Sequence, residues 1–252
     1  MLGLPYFVQS FYNWSKAHLQ PQDLSARVNL LIQALTDDQV SVRWNAARDL
    51  AKLGPAAAAA LPALDDALSS EDSTTALWAR HSIAKITGNA ARHMPLLIAG
   101  LHNPRIFPGM AAAALTGFGA EAVLAVPALI QHLSHTNADN RWSAACALAS
   151  IGPSAVDAVP ALAECLSDGD EKVRWYSAWA LGEIGPASAP AVEALTGRLD
   201  DFDDDVRGYS ARALGKIGPA AISSLPALKT LLKDENAAVR EEAAAAIELI
   251  GN

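Results

Sequence analysis

The chain has 252 residues, 51% of them hydrophobic and 6% aromatic, and a net charge of −8. That length accommodates one or two domains, and an Ala-rich, aromatic-poor composition suits closely packed helices. The acidic balance argues against nucleic acid and anionic lipid as partners, because both require a basic footprint. Two Cys are too few for a disulfide scaffold or a four-thiolate zinc site.

Residues 1–21 hold five aromatic residues: Tyr6, Phe7, Phe11, Tyr12 and Trp14. They carry no Lys or Arg before Lys16, so a secretory signal is not expected. No uninterrupted apolar run reaches the length of a membrane span, so no membrane insertion is expected. The cytoplasm is the expected location.

From residue 22 to 252 a pattern repeats. The strings VRWNAARDLAKLG (42–54), RWSAACALASIG (141–152), VRWYSAWALGEIG (173–185), VRGYSARALGKIG (206–218) and VREEAAAAIELIG (239–251) share one frame. Their closing glycines, with Gly119 and with Thr87 in one glycine's place, recur every 33 residues, once every 32. A second marker follows eight residues later: Pro62, Pro95, Pro127, Pro160 and Pro226, with Glu193 as the exception. Fixed periods of this size mark helical repeat arrays.

Each repeat reads as two helices. Helix B runs from the Val to the residue before the Gly, with its apolar positions on one stripe, as Val173, Ala178, Leu181 and Ile184 show. The Gly is expected to end it in the left-handed conformation, and the Pro after Gly54, Gly152, Gly185 and Gly218 blocks continuation. Helix A covers segments such as 160–166. Asp, Asn and Ser in the A/B turns cap helix B. In the third repeat Pro104 and Pro108 interrupt the start of helix B, which predicts a kink or a short helix.

A helix pair of this kind cannot bury its stripe alone, so neighbours must stack. The expected fold is all-α: an α-solenoid of about seven two-helix repeats of 33 residues. Residues 22–252 are expected to form one domain, capped by the aromatic segment 1–21.

The consensus D-x-x-V-R-x-x-A-A-x-A-L-G-x-I-G-P, with Pro127-Ala128-Leu129, Pro160-Ala161-Leu162 and Pro226-Ala227-Leu228 opening the other helix, resembles the HEAT-like repeats named after the phycobilisome lyases. The second to fourth repeats depart from it: Thr75, Phe107 and Asn140 replace Val, and Ala76 and Pro108 replace Arg. The resemblance implies a right-handed superhelix whose B helices line the concave surface. It also implies that Arg43, Arg141, Arg174, Arg207 and Arg240 form a ladder with acidic residues of neighbouring repeats. Members of the family include subunits of bilin lyases, which attach open-chain tetrapyrroles to Cys, and plain protein-binding scaffolds.

The B-helix positions opposite the apolar stripe, with one position partly on that side, carry the candidate site. They hold Trp44, Arg48, Trp78, His81, Trp142, Cys146, Trp175, Tyr176, Trp179, Tyr209 and Arg212. Trp, Tyr and Arg dominate interface hot spots, and a Trp left in water forfeits about 2–3 kcal/mol of burial. Either these rings pack on one another or they line a groove for another protein; we read a groove. Arg48 and Arg212 would pair with partner carboxylates. The acidic run 200–205, broken by Phe202, favours a basic partner and matches no calcium loop.

No two of the six His fall at i, i+4 facing a common site, and His132 and His135, at i, i+3, have no carboxylate or Cys on the same turn, so no metal site is expected. No phosphate loop or nucleophile elbow occurs, so no catalytic residue is assigned. Three functions remain. One is a non-catalytic scaffold or assembly factor holding a partner protein. A second is a bilin lyase subunit or bilin-binding chaperone acting on a phycobiliprotein subunit, with bilin as ligand. A third is an accessory factor in iron–sulfur cluster or cofactor delivery through Cys146.

Overall fold

The computed structural model describes residues 21–106 and 109–251. The aromatic segment expected to cap the array lies outside the described residues, as do Phe107 and Pro108. All regular structure among the described residues is helical. The chain forms two compact units, Met1–Asn89 and Ala90–Asn252.

In the first unit, α1 (Pro21–Ala34) and α2 (Val40–Leu53) precede α3 (Leu61–Ala67) and α4 (Ser73–Thr87). The B helices α2 and α4 pack side by side, with α1 against α2 and α3 against α4. Ala46, Ala47 and Leu50 of α2 and Leu64 of α3 are buried.

The second unit has five pairs. The A elements are α5 (Ala90–Leu101), α7 (Val126–His132), α9 (Val159–Cys165), α11 (Val192–Gly197) and α13 (Leu225–Leu231). The B helices are α6 (Met110–Thr116), α8 (Ala138–Ile151), α10 (Glu171–Ile184), α12 (Asp204–Ile217) and α14 (Ala237–Gly251). Each B helix packs on the next. Leu129, Leu162, Leu195 and Leu228 of the A layer and Leu148, Leu181 and Leu214 of the B layer are fully buried between the layers. The interrupted third repeat has a B helix of seven residues against fourteen in the next.

The glycines end the B helices differently from expectation. Gly88 alone takes the left-handed helical conformation, at φ 67°, ψ 17°. Gly54, Gly152, Gly185 and Gly218 combine positive φ with ψ near −140°, a region open to Gly and closed to residues with a Cβ. The chain then winds through a seven-residue 3-10 segment, as at Gly152–Ala158, before each short A helix. Pro160 sits in the first turn of its helix, where the missing N–H costs nothing. The stretch Ala138–Cys165 is long and apolar enough by composition to cross a membrane, yet Gly152 breaks it and 56% of its 18-residue apolar window is buried inside the protein.

Asp and Asn side chains start the B helices. Asp72 accepts from the N–H groups of Thr74 and Thr75, Asp170 from Lys172 and Val173, and Asp203 from Val206. These caps satisfy amides that a helix leaves unpaired at its first turn.

Adjacent repeats of the second unit are joined by a ladder. Arg141 Nε and Nη2 donate to Asp168, both at 2.7 Å. Arg174 meets Asp201 the same way at 3.0 and 2.8 Å, and Arg207 meets Asp234 at 2.8 and 2.9 Å. Each Arg also sends Nη1 to two carbonyls of the turn before its own helix; for Arg207 these are Asp201 and Phe202. The bidentate pair ties a B helix to the next turn while Nη1 fixes the turn behind. Arg43 and Arg240 reach the carbonyls of their own turns, and among the described residues no carboxylate pairs with them. The residue 27 positions after Arg43 is Ser70, which offers no charge. Likewise His135 stands where the ladder would place an Asp, and the position 27 before it is Pro108.

The B helices approach closely where Gly recurs. A Cβ added at Gly215 would lie 2.9 Å from Ala246 Cα, against backbone that no rotamer change can move. Gly215→Ala is therefore expected to destabilise the protein by about 1–2 kcal/mol through overpacking, despite the better helix propensity of Ala. Gly197→Ala, with nothing within 4 Å, should be neutral or mildly stabilising. Urea unfolding of the two variants side by side checks this; equal midpoints would refute the close approach.

Candidate partner-binding face

The B layer of the second unit brings five aromatic rings together. Trp142 of α8 stacks on Tyr176 of α10, centroids 5.2 Å apart at an interplanar angle of 21°. Trp175 stacks on Tyr209 of α12 at 5.1 Å and the same angle. Within α10, Trp175 and Tyr176 stack at 3.6 Å. Trp142, Tyr176, Trp175 and Tyr209 thus form one row, and Trp179 leans on it, 6.0 Å from Tyr176. The rule behind the row is simple: a Trp at one B-helix position meets a Tyr 34 residues later, one repeat plus one position on.

This arrangement corrects the expectation that the rings line an open groove. Trp175 is 8% exposed and Tyr176 7%. Each is covered by the ring of the neighbouring helix, so they belong to the core of the B layer. Stacking of aromatic faces contributes about 0.5–1.5 kcal/mol per pair beyond area burial. Trp142, Trp179 and Tyr209 remain half-buried and present ring surface to solvent.

Two carboxylates hold the half-exposed indoles. Trp142 Nε1 donates to Asp139 Oδ1 at 3.0 Å, and Trp179 Nε1 donates to Glu183 Oε1 at 2.7 Å. Glu183 also accepts from Lys216 Nζ at 2.7 Å, bridging α10 and α12. Asp139 and Glu183 were not among the expected site residues. The signal for them was present: an acid three before or four after a Trp on one helix lies on the same face. With both N–H groups satisfied, the indoles present flat ring surface with a carboxylate at the edge.

Around Tyr209, burial chiefly, with the nearby Asp205 and Glu242, pushes the phenol above its usual range, and Arg212 pulls it down. Arg212 itself is exposed. Burial chiefly, and then Asp203 and Asp204, also raises Asp205. Cys146 lies half-buried on α8, and burial pushes its thiol up to about 12. Cys165 is buried, donates to Leu133 O, and is pushed up to about 11. Thiols held so high stay protonated near neutral pH.

In the first unit, Trp44 is half-buried with the Arg48 guanidinium 5.3 Å from its ring centre, a cation–π contact. Arg48 Nε also lies 3.8 Å from Asp49. Trp78 and His81, expected to face outward, are each 5% exposed. Their rings meet edge to face at 5.1 Å, the i, i+3 neighbours of one helix packing on each other. These two therefore join the core as well.

Three His gather at the irregular repeat. His132 stacks on His135 at 5.7 Å and lies 5.4 Å from His102. His135 Nδ1 accepts from the Asn137 N–H at 3.0 Å. Burial first, then the two neighbouring imidazoles, holds His132 below its usual value. Among the described residues no group of three or more His, Cys, Asp or Glu is placed to hold a metal ion.

The family description of HEAT repeats matches residues 126–207 and 192–252, and that of the PBS lyase HEAT-like repeat matches residues 42–70. No curated protein matches the sequence. Among solved structures, two engineered proteins from the Northeast Structural Genomics Consortium are similar. One is 26% identical with a TM-score of 0.59, covering 92% of this chain and 71% of its own. The other is 27% identical with a TM-score of 0.51, covering 89% and 96%. A designed armadillo repeat protein in complex with the peptide (KR)4 is 20% identical with a TM-score of 0.50, covering 88% and 99%; at that identity the likeness is one of fold.

Proposed function

The chain belongs to the HEAT-repeat proteins, and we propose that it is a non-catalytic scaffold that holds a segment of a partner protein on the B-helix face of residues 90–252. The observation that carries this reading is the preassembled row of rings. Trp142 is oriented by stacking on Tyr176 and Trp179 by a tilted contact with it, and both by hydrogen bonds to Asp139 and Glu183, before any partner arrives. Rings already fixed lose little entropy on binding, which favours affinity.

Charge narrows the partner. Asp139, Asp205 and Glu242 edge the rings, Glu183 is neutralised by Lys216, and the chain as a whole carries −8. A flat ring with a carboxylate at its rim suits a Lys or Arg side chain, by cation–π attraction and charge together. We therefore favour a basic segment. Arg212, exposed on the same face, would pair with any acidic residue it carries.

A bilin reading has less support. The closest ring pair, Trp175 on Tyr176, is closed at 3.6 Å and leaves no slot for a flat tetrapyrrole. Cluster delivery through Cys146 has less still, given its protonated thiol.

The test is capture from native lysate by the wild type beside a Trp142→Ala, Trp179→Ala variant, with circular dichroism confirming the fold of both. Both rings are half-exposed, so the variant should fold. Loss of a captured protein by at least about tenfold is expected, as for removal of interface hot spots. A partner retained in full by the variant moves the binding surface elsewhere.

A further inference from the structure

Phe202 is out of place. Its side chain is fully exposed, at 104% of the reference area, in the turn between α11 and α12. The equivalent position in neighbouring turns is Thr136, Gly169 or Glu235, residues that water tolerates. Full exposure of a Phe forfeits the burial gain that organises the rest of the fold.

The turn that carries it is rigid. Arg207 Nη1 donates to the carbonyls of Asp201 and Phe202 at 2.9 and 3.2 Å. The Asp203 N–H donates to Asp201 Oδ1 at 3.1 Å, and the Asp203 carboxylate accepts from the Val206 N–H at 3.0 Å. Asp201 is itself pinned by Arg174. The ring therefore projects from a backbone that the ladder holds in place. Beside it lies a shallow hollow between two A/B turns, floored by Leu199, Ala227 and Leu231 and edged by Asp200 and Glu235.

Carboxylates outnumber cations around the ring, where Arg174, Arg198 and Arg207 are the cations. Asp201 and Asp234 are neutralised by Arg174 and Arg207. Asp200, Asp203, Asp204, Asp205 and Glu235 have no such cation among the described ion pairs. An apolar knob and hollow within an acidic surround call for the opposite pattern: an apolar side chain flanked by Lys or Arg.

We propose that Phe202 and the adjoining hollow form a second docking surface, at the edge of the array, for a partner segment bearing an apolar side chain between basic residues. It does not depend on the ring row of the B layer. Phe202 acts as the anchor, the hollow receives the partner's apolar side chain, and the carboxylates set orientation and speed of encounter.

Three fluorescein-labelled peptides of equal length test it by fluorescence polarisation on the full chain. One has a central Leu among Lys and Arg, one a central Ser in the same frame, and one a central Leu among Glu. Wild type is expected to favour the first by at least about tenfold over either other, the scale of one buried apolar side chain. Phe202→Ala should erase that preference with its thermal midpoint unchanged, because the ring touches little in the folded protein. Trp142→Ala should leave the preference intact. Equal affinity for the Leu and Ser peptides would reduce the effect to charge and overturn the proposal. So would a preference that survives Phe202→Ala, or no binding of any peptide at millimolar concentration.

Discussion

Trp175→Ala is expected to destabilise the protein by about 3–5 kcal/mol, the range for deleting a buried aromatic side chain. The ring is 8% exposed, lies 3.6 Å from Tyr176 and 5.1 Å from Tyr209, and has no route for its neighbours to close over the gap without shifting α10 against α12. Trp142→Ala, by contrast, removes a half-exposed ring with one stacking partner, and should cost about 1 kcal/mol. Urea unfolding followed by far-ultraviolet circular dichroism separates the two. If the variants unfold at the same denaturant concentration, Trp175 is not a core residue and the stack is not what holds α10 to α12. The distinction matters for any binding study, since a variant at Trp175 or Tyr176 would lose a partner by losing its fold.

The second large effect lies in the ladder. Asp201 is 4% exposed at its side chain and accepts from Arg174 Nε and Nη2 and from the Asp203 N–H, with Arg198 Nη1 3.5 Å away. Asp201→Ala strands the Arg174 guanidinium, which is 14% exposed, beside a turn that no longer closes. Breaking a buried pair by removing one partner costs about 3–5 kcal/mol. The same carboxylates govern the response to acid. Burial alone would raise Asp168 and Asp201, but hydrogen bonds from Arg141 and Arg174, joined by backbone N–H groups, outweigh it. In Asp234 the hydrogen bond from Arg207 is the largest influence. All three are held below the ordinary carboxylate value, so they stay ionised longer in the folded state than in the unfolded chain. Their stabilisation is complete above the unfolded value of about 4 and is lost as pH falls through the folded values below it. Denaturation at pH 7, 4 and 3 should show wild-type stability falling steeply over the last interval, and Asp201→Ala starting lower and falling less. Parallel curves for the two proteins would remove the ladder as the cause of acid sensitivity.

Much of this was legible in the residues. The 33-residue recurrence of Gly, Val and Leu located the B helices, because a helix stripe and its stop signal are local properties. The Asp and Asn caps followed from the same turns, and Pro104 and Pro108 announced the shortened α6. What escaped was whatever needed a neighbour. Projecting α10 alone puts Trp175 opposite the apolar stripe and Tyr176 on its flank. It cannot reveal that Tyr209 and Trp142 arrive from flanking helices to cover them. Likewise the Gly–Pro pairs mark a helix end, but the 3-10 winding after them depends on a ψ near −140° that sequence does not specify. Asp139 and Glu183, three before Trp142 and four after Trp179, have a spacing that the sequence shows, but their hydrogen bonds to the indoles depend on side-chain orientation.

The ladder also bears on how such a chain can change size. Each bond links an Arg to an Asp 27 residues on, so every bond closes a loop of one length, however many repeats there are. The closure entropy of each loop depends on its own length and not on how many other loops there are, and sequence separation between contacting groups stays constant. Adding or deleting a whole repeat therefore changes the number of rungs without altering the geometry of any rung that remains. A change of a few residues, by contrast, moves an Arg out of reach of its Asp. At Pro108 and His135 a rung is missing with donor and acceptor absent together, so neither charge enters that junction. Gain and loss by the whole module is thus the length change this backbone tolerates at least energetic cost.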